Sequence, residues 1–430
     1  MKPENIFKII AVLFILSGFF LDPWILEKLL SPQAFIGFQY RMSLRLCEII
    51  LVLSGIILLA LKINEATIKK SIEYYKLTAI TLLTTVLLFI SVNALCFVFY
   101  AVKDLAFYQN FIFAKYKKPL DNLYPGLTKK EINNLLQETW LRSYVYEPYT
   151  QFKERAFTGK YVNVHEKGFR FVKNQGPWPP DSKNTNVFLF GGSTLFNYGL
   201  PDDETIASYL QENLQNKNPG KNVFVYNFGQ GYYFSSQECI LLKKLLTEGF
   251  VPNLAVFLDG LNEFYQIKDE PIYTEKLKNF FERKEISLPD LPVIKLINEF
   301  KKQGTEECKY NDATIKNIID RYFINKKIIE VISKSFGVKC CFVWQPIPAY
   351  KYDLKYHLFA DGGFGRHSNS KSGYEYMEKL IKTDKSGNDF LWLADIQENI
   401  KKPLYVDKYH YTSELSKEVA EKISNFLIGF

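Results

Sequence analysis

The chain has 430 residues, 47% of them hydrophobic and 23% charged, with 54 Lys and Arg against 46 Asp and Glu. Its 36 Phe and 28 Tyr are core formers that exclude a disordered chain, and 6 Cys in this length exclude a disulfide scaffold. No Cys/His cluster has zinc-ligand spacing, so neither a metal nor a cofactor is expected, and the net charge of +8 forms no basic stripe of the kind a nucleic-acid partner needs.

Apolar runs concentrate in residues 1–103, which are expected to form a membrane anchor of three spans, at about 6–24, 44–62 and 77–102. Leu77–Val102 contains no charge, and at about 1.5 Å per residue it exceeds the ~30 Å hydrocarbon core. Leu44–Leu61 carries Arg45 and Glu48 near one end, spaced to pair at i,i+3. Ile9–Leu21 is shorter and is ended by Asp22-Pro23, so an interfacial helix is the competing reading. Lys62, Lys69, Lys70 and Lys76 make residues 62–76 a compact basic loop expected on the cytoplasmic side. Three spans then put everything after Lys103 outside the cytoplasm.

Residues 104–185 read as an aromatic connector packing on the domain C-terminal to it. Thr128 and Glu131 form a capping box before Ile132, Leu135 and Leu136. From Asn186 buried strands alternate with helices. The strands are expected at Val187–Phe190, Val223–Tyr226, Leu254–Leu258, Val338–Trp344 and Phe390–Ile396. The helices are expected at Glu204–Leu214, Gln237–Leu246, Thr314–Phe336 and after Thr412. This alternation implies an α/β fold with a parallel sheet covered on both faces over 186–430, with insertions at 264–313 and 345–389. Cys340 and Cys341 are expected to point to opposite faces of one strand.

Ligands of such sheets bind at the carboxyl ends of the strands. The first strand ends in Gly191-Gly192-Ser193-Thr194, where a sharp turn presents a serine near a helix start. The second ends in Asn227-Phe228-Gly229, and the third in Gly260-Leu261-Asn262-Glu263. An amide at Asn262 can donate to an oxyanion or merely cap the next helix. Asp407-Lys408-Tyr409-His410 stands before the last helix, with the carboxylate placed to fix the tautomer of the imidazole. Gln345 follows the fourth strand and is a candidate substrate contact, against the favoured alternative of a polar residue that merely ends the strand, and Arg170 reads as a structural ion-pair partner.

These four blocks, in this order, resemble the SGNH hydrolases, the GDSL esterases and lipases, over about residues 186–428. The resemblance implies a three-layer α/β/α sandwich around a five-stranded parallel sheet of order 2-1-3-4-5, flavodoxin-like, behind the N-terminal transmembrane helices. It implies Ser193 as nucleophile, His410 as general base and Asp407 as its orienting acid. Ser193, Gly229 and Asn262 would form the oxyanion hole. Gly192 departs from the Gly-Asp-Ser-Leu signature, a variant associated with bacterial members anchored in the cytoplasmic membrane. The implied activity is that of a membrane-anchored serine esterase acting on O-acyl groups of cell-surface polysaccharide or lipid. The alternatives are an O-acyltransferase, which would need a membrane partner to supply the acyl donor, and a non-catalytic glycan-binding scaffold.

Overall fold

The computed structural model describes residues 3–30, 38–61, 64–109, 115–282, 293, 309–361, 363–383 and 386–427. Two compact units divide the chain: Met1–Phe99 with Leu291–Ile297, and Tyr100–Asp290 with Asn298–Phe430.

In the first unit, helices occupy Pro3–Phe20, Pro23–Leu30, Phe38–Ala60 and the start of Glu65–Gln109. Two of them, over Tyr40–Ala60 and Ala66–Lys103, are long and apolar enough to cross a membrane. The expected third span is a helix, but its apolar stretch is only Phe7–Phe20, about 21 Å of rise against a hydrocarbon core of ~30 Å. This helix lies close against Phe38–Ala60. A Cβ on Gly18 would lie 2.7 Å from Val52, and one on Gly55 would lie 2.6 Å from Ile15 and 2.7 Å from the Ala11 carbonyl. Small residues that bring backbones together are how apolar helices associate in lipid. Arg45 and Glu48 pair at 2.8 Å. The expected loop over 62–76 is corrected: from Glu65 onward these residues are the opening turns of the long helix. Asn64 Oδ1 accepts from the Thr67 N–H, so the helix starts upstream of three of the four lysines.

In the second unit, the capping box closes as expected. The Thr128 hydroxyl accepts from the Glu131 N–H, and helix Lys129–Trp140 buries Ile132, Leu135 and Leu136. Two small antiparallel hairpins come next, β1 (Tyr144–Glu147) with β2 (Gln151–Glu154) and β3 (Phe157–Thr158) with β4 (Asn163–Val164). Strands of two to four residues leave no periodicity to read.

The main sheet has five strands: β5 (Thr185–Gly191), β6 (Val223–Asn227), β7 (Leu254–Asp259), β8 (Lys339–Trp344) and β9 (Phe390–Trp392). All pair parallel in the order β6-β5-β7-β8-β9, which is the order 2-1-3-4-5 of a flavodoxin-like α/β fold. Successive residues alternate between two cores. Phe188, Phe190, Phe257 and Phe342 face helices Ser235–Thr247 and Asp312–Ser335, with the Phe190, Phe257 and Phe342 rings stacked at 4.9 and 5.2 Å. Val187, Leu189, Val256 and Val343 face helices Ile206–Lys217 and Ser413–Phe426. Cys340 belongs to the first core and Cys341 to the second. The helix expected from Glu204 starts at Ile206, because Thr205 caps it by accepting from the Ser208 N–H. β9 stops at Trp392, four residues short of its expected end.

The expected insertions contain helix Thr274–Glu282 and, after β8, the 3₁₀ turns Leu354–Tyr356 and Gly365–Asn369 followed by helix Ser370–Ile381. Most of 283–308 lies outside the described residues.

Candidate active site

At the carboxyl end of β5 the chain turns at Gly192, which precedes the short helix Ser193–Phe196. A Cβ on Gly191 would lie 2.9 Å from the Leu258 carbonyl, so the turn fits only against a residue without a side chain. Ser193 Oγ is thereby held 2.9 Å from His410 Nε2. His410 sits in a closed turn in which the Val406 N–H donates to the His410 carbonyl at 2.8 Å, just before Thr412 caps the last helix. His410 Nδ1 is 2.7 and 2.9 Å from the two Asp407 oxygens. Asp407 Oδ1 also accepts from the Tyr409 and His410 N–H groups at 2.8 and 2.9 Å. Burial pushes the Asp407 carboxyl up, but the His410 ring and these N–H groups outweigh it and hold the carboxyl below its ordinary value. A carboxylate at Nδ1 fixes the proton there and leaves Nε2 as acceptor for the serine hydroxyl.

The imidazole is clamped by rings that no motif announced. Tyr198 stacks on it at 5.3 Å and Trp140 meets it edge-on at 5.3 Å. Tyr198 donates its hydroxyl to Glu154, which also pairs with buried Arg142 at 3.1 Å. Arg170 behaves as the sequence suggests. It is fully buried, pairs with Asp202 at 2.9 Å and donates to the carbonyls of Phe196, Asn197 and Leu200, tying down the chain after the serine.

Two expectations are corrected. Gln345 does not reach the cleft. It is buried beneath the site, where its Oε1 accepts from Thr194 Oγ1 at 2.5 Å and from the Tyr411 hydroxyl at 2.9 Å. It therefore joins the residues that follow Ser193 and His410, and positions both. The Gly229 N–H is likewise spent, donating to Asn227 Oδ1 at 2.9 Å, away from the cleft. A Cβ on Gly231, two residues on, would overlap the Tyr144 hydroxyl and lie 2.7 Å from that of Tyr198, two side chains that line the cleft.

Asn262 lines the cleft with Ser193. Its Nδ2 donates to the Tyr233 carbonyl at 2.7 Å and has a second hydrogen to give. It caps no helix; the short turn Asn262–Phe264 begins after Leu261 and has no side-chain cap. A Cβ on Gly192 would overlap Asn262 Nδ2, which explains why glycine precedes the serine here. Ser193, first in its helical turn, has an N–H with no intrahelical acceptor. The surrounding cleft encloses about 940 Å³. Among the described residues, no group of His, Cys, Asp and Glu is placed to hold a metal ion.

No protein-family model matches the sequence, and no curated protein matches it. Solved structures similar in fold include a lipolytic protein of the G-D-S-L family from Desulfitobacterium hafniense, with 14% identity, TM-score 0.32, and coverage of 56% of this chain and 99% of that one. An acetylxylan esterase from Geobacillus stearothermophilus is 15% identical, with TM-score 0.32 and coverage of 58% and 97%. A lipase from a goat rumen metagenome is 9% identical, with TM-score 0.36 and coverage of 56% and 97%. At these identities and scores, reaction and substrate are left to the chain's own residues.

Proposed function

We propose that this protein is a membrane-anchored serine ester hydrolase that works through an acyl-enzyme on Ser193. The observation that carries the reading is the unbroken relay Ser193 Oγ, His410 Nε2, His410 Nδ1, Asp407, with every link at 2.7–2.9 Å. As Ser193 Oγ attacks the ester carbonyl, its proton passes to His410 Nε2 and the carbonyl π electrons move onto oxygen. The Ser193 N–H and the second Asn262 N–H are the donors assigned to that oxyanion. Collapse expels the alcohol, which takes the proton from His410. Water then attacks the acyl-enzyme, again giving its proton to His410, and the acid leaves as Ser193 recovers it. Transfer to a sugar hydroxyl in place of water would use the same relay.

We assign the substrate to O-acyl groups of cell-surface polysaccharide or lipid. Two long apolar helices support tethering to a membrane. The extracytoplasmic side requires Pro3–Phe20 to cross as a third span, and reporter fusions after Lys118 decide it. The test of the activity is hydrolysis of p-nitrophenyl acetate by the full chain in detergent. Turnover that disappears in Ser193→Ala supports the reading; equal turnover in both proteins refutes it.

A further inference from the structure

Five cationic side chains line the cleft against two carboxylates, and one of those, Asp407, is committed to His410. Two of the cations are neutralised: Lys118 pairs with Asp361 at 2.5 Å, and Arg142 with Glu154. Lys408 donates to a neutral acceptor, the Gly363 carbonyl, at 2.8 Å. Lys117 is exposed and has no carboxylate partner among the described residues. The Lys115 ammonium lies 3.6 Å over the Trp140 ring, the same ring that meets His410 edge-on. Positive charge is thus set beside the triad as well as at the rim.

The walls between these charges are aromatic. Tyr232 and Tyr265 face each other with ring centres 5.8 Å apart, and Tyr232 is 40% exposed. Leu261 and Ile272 are the only aliphatic hydrophobic side chains among the described lining residues, so the described walls are aromatic and charged more than aliphatic. Lys117 and Tyr232 both hold left-handed backbone, at φ 56° and 63°, although neither is glycine. Such conformations are strained and persist where the surroundings impose them, typically at ligand sites. Here the strain presents one ammonium and one aromatic ring to the same cleft.

We infer that the cleft takes an anionic polysaccharide bearing short O-acyl groups, its sugar rings on the tyrosine faces and its carboxylates or phosphates on Lys117 and Lys408. This inference rests on the hydrolase reading above and narrows its substrate to one charge class. The relevant binding test uses full-length Ser193→Ala protein in detergent, with de-esterified oligogalacturonate as the anionic probe and a xylooligosaccharide of equal length as the neutral one. The anionic probe should bind about tenfold more tightly at low salt, and the advantage should shrink as salt screens the rim. Lys117→Gln and Lys408→Gln should each weaken the anionic probe about threefold. Equal binding of the two probes, or a preference that ignores salt, overturns the inference. So does a wild-type preference for long-chain over acetyl p-nitrophenyl esters. Absent turnover of p-nitrophenyl acetate would instead refute the hydrolase reading, with the binding comparison still deciding the charge class.

Discussion

Replacing Gly192 by alanine is the smallest change that should disable the site without touching a reacting group. Gly192 has φ −82° and ψ −161°, extended backbone that any residue adopts, so the substitution meets no torsional penalty. The obstacle is space. The new methyl overlaps Asn262 Nδ2 and lies 3.2 Å from the Tyr233 carbonyl. Asn262 can only rotate away, giving up its 2.7 Å bond to that carbonyl. Losing the bond costs about 1 kcal/mol net, and overpacking in a filled site costs about 1–3 kcal/mol. A melting temperature several degrees lower is the expected reading for a domain of this size. Rotation also withdraws an oxyanion donor, which lowers kcat about 10²–10³-fold with little change in KM. An aspartate at this position should be at least as harmful. The assay is p-nitrophenyl acetate kinetics beside a melting curve, with Gly192→Ala/Asn262→Gly as the diagnostic. Removing the amide relieves the clash, so the double variant should regain melting temperature while kcat stays low. Wild-type kcat in Gly192→Ala would refute this view of how Asn262 is held.

Asn262→Asp should lose about 10²–10³ in kcat, because a carboxylate has no N–H to give and faces both the Tyr233 carbonyl and the oxyanion; kinetics indistinguishable from wild type would remove Asn262 from the oxyanion hole. Gln345→Leu strands the buried Thr194 hydroxyl, at about 1–3 kcal/mol for a buried group left unpaired, while the Tyr411 hydroxyl keeps its bond to the Pro346 carbonyl. It should lower kcat and leave KM nearly unchanged, whereas a raised KM would mark Gln345 as a substrate contact. Burial pushes His357 and His367 down to about 4, so the folded chain keeps both neutral while the unfolded chain protonates them near 6.5. Their contribution to stability is therefore full above pH 6.5 and lost as pH falls toward 4, by up to about 3 kcal/mol each. Melting curves across that interval measure it, and an acid slope unchanged in His357→Gln/His367→Gln would assign it to other groups.

The elements legible in the sequence are those set by local physics. β5 to β8 are buried on both faces, so they appear as nearly unbroken apolar runs. Asp407 and His410 stand three apart before a capped helix, so their partnership is local and readable, and the motif order put Ser193 opposite them. The features that were not legible depend on folding. That the Gly229 N–H is taken by the Asn227 side chain follows only from how the turn folds. Gln345 ends a strand like any polar terminator until Thr194 and Tyr411 close on it. Trp140 and Tyr198 come from segments without chemical motifs, and they meet His410 only because the connector packs over the turn after Ser193. The basic segment after Lys62 contains no helix breaker, and Asn64 starts there a helix that composition alone presented as a loop.

The most direct test is to treat the full chain with a fluorophosphonate and locate the adduct by peptide mass spectrometry. The expected result is one adduct, on the Ser193 hydroxyl, abolished in Ser193→Ala and strongly slowed in His410→Gln and Asp407→Asn. An unlabelled Ser193 in a protein that hydrolyses p-nitrophenyl acetate, or labelling indifferent to His410, would contradict the acyl-enzyme mechanism.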